Sequence, residues 1–193
     1  INKIEITFEI LENFYDEDSY WLIYCEDNEQ LDSLVKKLVD KDYEVSVYTS
    51  SITSDHETIL KDFKDKKGIM VAIRCLDEGI DIPYLNNAII LASSQNPRQF
   101  IQRRGRILRN DKDKQEAQLF DIVVVPREYN PNNEYGDTLI LSELKRAYEF
   151  SKTAVNPAVL TKIELLAKEF GFNLDELSYT YYENLDEDNV ESD

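Results

Sequence analysis

The sequence is poor in three residue types on which many enzyme sites depend. It has five glycines, two cysteines and a single histidine among 193 residues. None of the glycines opens the pattern G-x-x-x-x-G-K-[S/T], the loop that cradles nucleotide phosphates. Chemistry built on paired histidines is excluded because His56 stands alone. Cys25 and Cys75 have no partners at metal-ligand spacing, so we expect reduced core cysteines, with no disulfide and no metal site.

Long hydrophobic runs and a positive charge balance are also missing. No apolar run approaches the ~20 residues of a membrane span, and no signal peptide opens the chain. We therefore expect a cytoplasmic protein with no membrane partner. The net charge of -17 argues against a free-standing nucleic-acid binder, which normally has a basic footprint. Nucleic acid can still be held locally or by a partner domain.

Strand and helix patterns alternate along the first two thirds of the chain. Apolar runs predict strands at 21–25, 45–48, 69–73, 87–92 and 119–125. A further strand is predicted at 4–10, because Ile4, Ile6, Phe8 and Ile10 alternate with polar residues. Strands that alternate with helices imply βαβ units and a parallel sheet. The predicted fold class is therefore α/β, a parallel sheet with helices on both faces. In such sheets ligands bind at the carboxyl ends of the strands.

Helix starts are marked by capping residues. Asp27 with Gln30, and Ser54 with Glu57, fit the capping-box spacing at the start of two predicted helices. The first of these helices has an apolar stripe, and all of its members are expected to pack on the sheet: Leu31, Leu34, Val35, Leu38 and Val39. The second has Ile59, Leu60 and Phe63 on its apolar side.

The character of the chain changes after Pro126. We predict an α/β domain over 1–126, a helical extension over 127–182 and an acidic, disordered tail over 183–193. In the extension, Asn156-Pro157 opens a helix that Gly171 ends.

Five of the eight arginines lie between Arg98 and Arg109. Asn96 and Pro97 suit the start of a helix there. At about 100° per residue, Gln102, Arg106 and Arg109 then share one face. Guanidinium groups bind phosphate in a planar, bidentate manner, so this face suits an anionic ligand. The alternative is a basic helix that forms surface salt bridges with an acidic protein.

The stretch Gln-Arg-Arg-Gly-Arg-Ile-Leu-Arg, 102–109, resembles motif VI of superfamily 2 helicases, Q-x-x-G-R-x-x-R. The resemblance implies that Arg106 and Arg109 are the arginine fingers of a second RecA-like lobe. It also implies that Gln102 lies beside the γ-phosphate and the attacking water.

Residues 69–83 end in Glu-Gly-Ile-Asp-Ile-Pro, which resembles motif V of the same helicases. By that resemblance Gly79 lies against the nucleotide phosphates and Asp81 contacts the ribose or its water network. The alternative is a tight strand–helix turn with a capping Asp. Many relatives have Thr or Ser where this chain has Ile73, which cannot form a hydrogen bond to a nucleic-acid phosphate. Arg74 can contact that phosphate instead.

Together these stretches resemble the C-terminal, second RecA-like domain of superfamily 2 DEAD/DEAH-type helicases, in the branch of XPB-like proteins and restriction-type translocases. The resemblance covers roughly 20–125. It implies that the predicted domain over 1–126 is a second RecA-like helicase lobe, a RecA-like parallel sheet with helices on both faces. It implies an ATP-dependent helicase or translocase, with double-stranded DNA as the expected substrate. ATP and Mg²⁺ are then held mainly by a first lobe absent from this chain, so the chain alone is expected to be inactive. The alternatives are a catalytically inactive RecA-like binding or regulatory module and, less favoured, an unrelated nucleotide-binding fold.

Overall fold

The computed structural model describes residues 3–49, 56–73, 82–91, 117–126, 134–152 and 154–173. These residues form five strands, β1 Tyr20–Cys25, β2 Val45–Tyr48, β3 Gly68–Ile73, β4 Asn87–Ile90 and β5 Gln118–Asp121. They also form five helices, α1 Lys3–Phe14, α2 Asn28–Asp40, α3 His56–Lys66, α4 Glu134–Ser151 and α5 Pro157–Glu169. None of the helices in these ranges is long and apolar enough to cross a membrane.

The strands form one parallel sheet in the order β2-β3-β1-β4-β5. The three central strands are buried along almost their whole length, which explains their continuous apolar sequences. The predicted parallel α/β sheet is confirmed. The fifth strand is shorter than predicted, since it ends at Asp121 instead of Val125. Val125 packs instead against the apolar cluster of α4 and α5.

The first element is a helix, so the predicted strand at 4–10 is wrong. Ile4, Thr7, Phe8 and Leu11 are the buried residues of α1, and their i, i+3, i+4, i+7 spacing is helical. In the predicted strand Thr7 would be one of the polar residues that alternate with the apolar ones. In α1 it is fully buried, and its hydroxyl donates to the Lys3 carbonyl at 3.0 Å. The seven residues 4–10 do not distinguish the strand period of about 2 from the helix period of about 3.6. The next apolar residue, Leu11, breaks the alternation and fits only the helix.

Helix α2 begins as the sequence predicts. The Asp27 carboxylate accepts the Gln30 backbone N–H at 2.8 Å, so Asp27 is the N-cap. The Gln30 side chain accepts the N–H of Glu26, the residue before the cap, at 2.9 Å. The predicted burial of Val39 is wrong, because its side chain is 56% exposed at the end of the stripe. The predicted cap of the next helix, Ser54, lies outside the described residues.

Helices cover both faces of the sheet. Helices α1 and α2 share one apolar cluster with Trp21, Ile23 and Cys25 of β1. The side chain of Tyr20 belongs to the opposite face, because successive strand residues alternate. There its ring contacts those of Phe63 in α3, 5.6 Å between centroids, and of Tyr84, 4.7 Å.

The chain divides into two compact units, 1–122 and 123–193. In the second unit, α4 and α5 pack through a cluster of Ile140, Leu144, Ala167 and Phe170. The Asn156 carboxamide caps α5 by accepting the Ala158 N–H at 3.0 Å, and Gly171 follows the helix with φ +80°, both as predicted. The predicted division at 126 and 182 stays a prediction, and the tail over 183–193 lies outside the described residues.

Candidate functional site

The carboxyl edge of the sheet brings together the two strand ends that precede the sequence motifs. Strand β1 lies between β3 and β4, and the three strands end level, because Cys25 is opposite Ile73 and Tyr24 is opposite Ile90. Neighbouring strands are about 4.8 Å apart, so β3 and β4 end about 10 Å from each other. Crevices outside the carboxyl ends of parallel strands are where α/β folds bind ligands.

The predicted site residues follow these strand ends directly in sequence. Arg74, Gly79 and Asp81 come after β3. The other three come after β4: Gln102, Arg106 and Arg109. All six lie outside the described residues, as do Cys75 and the predicted helix over 96–109. The structure therefore brings together the two points from which the motif segments leave the sheet.

Ile73 is the last residue of β3, and its side chain is 8% exposed. It belongs to the apolar cluster beneath α1 and α2. Its burial gives it a role in the core, where the resemblance to motif V leads us to expect a hydroxyl instead. The predicted phosphate contact of Arg74, the next residue, stays a prediction.

Asp27, the second of two acidic residues that follow β1, is already used by the fold. The Asp27 carboxylate caps α2, as described above, so one of its oxygens is committed to a backbone N–H. Within the described ranges, no group of three or more His, Cys, Asp or Glu side chains is placed to hold a metal ion. The residues described at this edge thus do not fit a magnesium centre.

Cys25, at the end of β1, is a free and fully buried thiol. Burial, with a smaller contribution from the charge of Asp27, raises the pKa of the thiol to about 12. A thiol that stays protonated at neutral pH is a poor nucleophile and a poor metal ligand. Cys25 is therefore a core residue at this edge, as the sequence predicts.

One polar residue at the edge is missed by sequence reasoning. The Lys3 ammonium, at the start of α1, donates to the carbonyl of Leu91 at 2.7 Å. Leu91 follows β4 and precedes the segment that contains the arginines. The two residues are 88 positions apart, and the pattern around Lys3 predicts a strand, so no local signal pairs them.

The sheet order, parallel register and two-sided helix cover define a RecA-like α/β domain. Solved structures agree with this class. The C-terminal part of the Fun30 ATPase domain matches 79% of this chain and 55% of its own at a TM-score of 0.57 and 19% identity. The C-terminal domain of the DEAD-box protein Dbp5 matches 83% of this chain and 88% of its own at a TM-score of 0.56 and 17% identity. At these identities the likeness shows the fold alone.

The chain belongs to the family of helicase conserved C-terminal domains, whose model matches residues 2–111. It is 36% identical over 124 residues to the DNA 3'-5' translocase XPB2 of Sulfurisphaera tokodaii, covering 63% of this chain and 26% of that protein. It is 27% identical over 110 residues to the ATP-dependent RNA helicase eIF4A of Eremothecium gossypii, covering 55% of this chain and 28% of that protein. The chain thus spans about a quarter of the length of these relatives. The predicted superfamily 2 assignment is confirmed.

Proposed function

We propose that this chain is the second motor lobe of an ATP-dependent nucleic-acid helicase or translocase. In this proposal a first RecA-like lobe, absent from the sequence given, holds ATP and Mg²⁺. The present lobe supplies Arg106, Arg109 and Gln102 when the two lobes close. The observation that carries the proposal is the common edge of β3 and β4, which brings the starts of both motif segments to the two sides of β1.

The chemistry of the arginines fits phosphoryl transfer. Negative charge spreads over the oxygens of the transferred phosphoryl group, and a permanently charged guanidinium stabilises it in the transition state. Arg106 and Arg109 have this role in the proposal, and Gln102 orients the attacking water. Gly79 allows the backbone to approach the phosphates, and Asp81 contacts the ribose or its water network. Because the arginines engage only on closure, hydrolysis is coupled to lobe motion.

Double-stranded DNA is the nucleic acid we propose. The DNA translocase XPB2 is more similar to this chain than the RNA helicase eIF4A over a comparable length, which supports DNA. Arg74 directly follows the buried end of β3, and it is the residue we propose for a phosphate contact there. The net charge of -17 makes it reasonable that the first lobe provides most of the electrostatic attraction.

The proposal is tested by one arginine substitution in the two-lobe protein. We expect Arg109→Ala to reduce DNA-stimulated ATP turnover by about 10³-fold or more, the contribution of an arginine finger in related reactions. Arg104→Ala is the matched control, since it removes the same charge from a variable position of the motif and should leave turnover nearly unchanged. Normal turnover in Arg109→Ala would contradict the proposal and favour a RecA-like module that binds a partner without catalysis.

A further inference from the structure

The contact between Lys3 and Leu91 points to a further residue in this motor. We call the chain that follows Leu91 and contains Arg98 to Arg109 the arginine segment. We infer that Lys3 is a positioning residue that fixes the point where this segment leaves the sheet. The inference rests on the proposed function of that segment. Its basis is the 2.7 Å bond from the Lys3 ammonium to the last backbone carbonyl before residue 92.

The Leu91 carbonyl lies one step beyond the regular sheet. Strands β1 and β4 pair as far as Tyr24 and Ile90, and the Leu91 N–H still donates to the Tyr24 carbonyl at 2.9 Å. In a continued parallel ladder, the next rung would run from the Glu26 N–H to the Leu91 carbonyl. That N–H instead donates to the Gln30 side chain at 2.9 Å. Lys3 supplies the donor that the sheet does not.

The bond from Lys3 of α1 takes the place of a backbone hydrogen bond between strands, and it is charge-assisted. Hydrogen bonds with an ionised donor are stronger than neutral ones, so the end of β4 is held firmly although the ladder has stopped. The Leu91 side chain is fully buried in the same cluster as Ile4 of α1. Helix α1 thus holds both the backbone and the side chain at the start of the arginine segment.

The position of the donor fits a positioning role. Lys3 lies in the first described turn of α1, and its ammonium bonds outside the helix, to the Leu91 carbonyl. Small displacements of catalytic groups are costly in phosphoryl transfer, which depends on positioning and electrostatics.

The test compares Lys3 with a second lysine that holds the same helix at its other end. The Lys41 ammonium forms an ion pair with Glu12 of α1 at 3.0 Å, on the amino side of the sheet. Lys41→Met therefore removes a lysine contact to α1 without touching Leu91. Lys3→Met, Lys3→Arg and Lys41→Met are made in the two-lobe protein, and ATP turnover is measured with duplex DNA.

We expect Lys3→Met to lower kcat by roughly ten- to a hundredfold while the KM for ATP changes less than about twofold, because positioning acts in the transition state. Lys3→Arg keeps a charged donor and should restore most of kcat, and Lys41→Met should leave kcat unchanged. Equal kcat values in Lys3→Met and Lys41→Met would overturn the inference, as would a Lys3→Arg variant as slow as Lys3→Met.

Arg109→Ala in the same assay separates the two levels of the proposal. If Arg109→Ala loses turnover and Lys3→Met does not, the positioning role fails while the proposed function stands. If Arg109→Ala keeps normal turnover, the proposed function itself fails.

Discussion

The backbone of Gly68 passes so close to Glu44 that a side chain has no room there. A Cβ atom on Gly68 would lie 2.8 Å from the Glu44 carbonyl oxygen, and Gly68 has a φ of +84°. The same carbonyl accepts the Ile69 N–H at 3.0 Å, so it cannot move away without losing the first bond between β2 and β3. This close approach sets the register of the edge strand β2.

We predict that Gly68→Ala destabilises the protein by roughly 2–4 kcal/mol, because left-handed backbone strain adds to steric overlap in a packed site. Gly171→Ala is the matched control, since Gly171 has a φ of +80° but nothing within 4 Å of an added Cβ. It should cost only about 1–2 kcal/mol. Urea unfolding followed by circular dichroism measures both values, and equal losses would mean that the overlap with Glu44 relaxes freely.

The second unit contains a buried ion pair within α4. The Arg146 guanidinium binds both carboxylate oxygens of Glu143, with 2.9 Å between Nη2 and Oε2, and the two side chains are 8% and 4% exposed. The Glu143 carboxylate also accepts the Val124 N–H at 3.2 Å. This network joins the segment after β5 to α4.

We predict that Arg146→Met destabilises the second unit by about 3–5 kcal/mol, because it removes the guanidinium that binds both oxygens of a buried carboxylate. Lys152→Met breaks a more exposed pair with Glu149 at the same i, i+3 spacing. That control should cost less than about 1 kcal/mol. Thermal unfolding compares the two variants, and similar melting temperatures would show that burial adds nothing to the pair.

The buried thiol of Cys25 should make stability depend on alkaline pH. Its pKa is about 12 in the folded chain against an ordinary value of 9.0, so the unfolded state releases the proton first as pH rises. The contribution of the thiol is complete below pH 9 and is lost as pH rises through about 12. Between those values the free energy of unfolding should fall by up to about 1.4 kcal/mol per pH unit from this group.

Urea unfolding at several pH values in a Cys75→Ser background measures this effect. Adding Cys25→Ala should remove that part of the pH slope, while Tyr84, whose pKa burial also raises, contributes equally to both proteins. Parallel slopes with and without Cys25 would contradict the assigned burial effect.

The sequence predicts most of the sheet because strands that are buried on both faces are continuous apolar runs. Strands β1 and β3 are continuous apolar runs bounded by polar residues, and Asp27 occupies the cap that its spacing indicates. The order of the motifs along the chain also allows the family to be identified, although the side chains of the motifs lie outside the described residues.

Elements whose pattern fits two periods are not predictable in the same way. Helix α1 is read as a strand because its apolar residues fit both alternation and a helical stripe until Leu11 is included. The bond between Lys3 and Leu91 requires that α1 is a helix with Lys3 at the carboxyl edge of the sheet. It also requires that the Glu26 N–H donates to the Gln30 side chain and not to Leu91. Such a contact follows from tertiary placement, which no local pattern encodes.

The central claim is that this lobe completes an ATP site held by another lobe. The most direct measurement is ATP turnover by the chain alone and by the chain joined to its first lobe, each with and without duplex DNA. We predict no turnover by the chain alone and DNA-stimulated turnover by the two-lobe protein. Turnover by the chain alone would contradict the claim, because it would require a complete nucleotide site within these 193 residues.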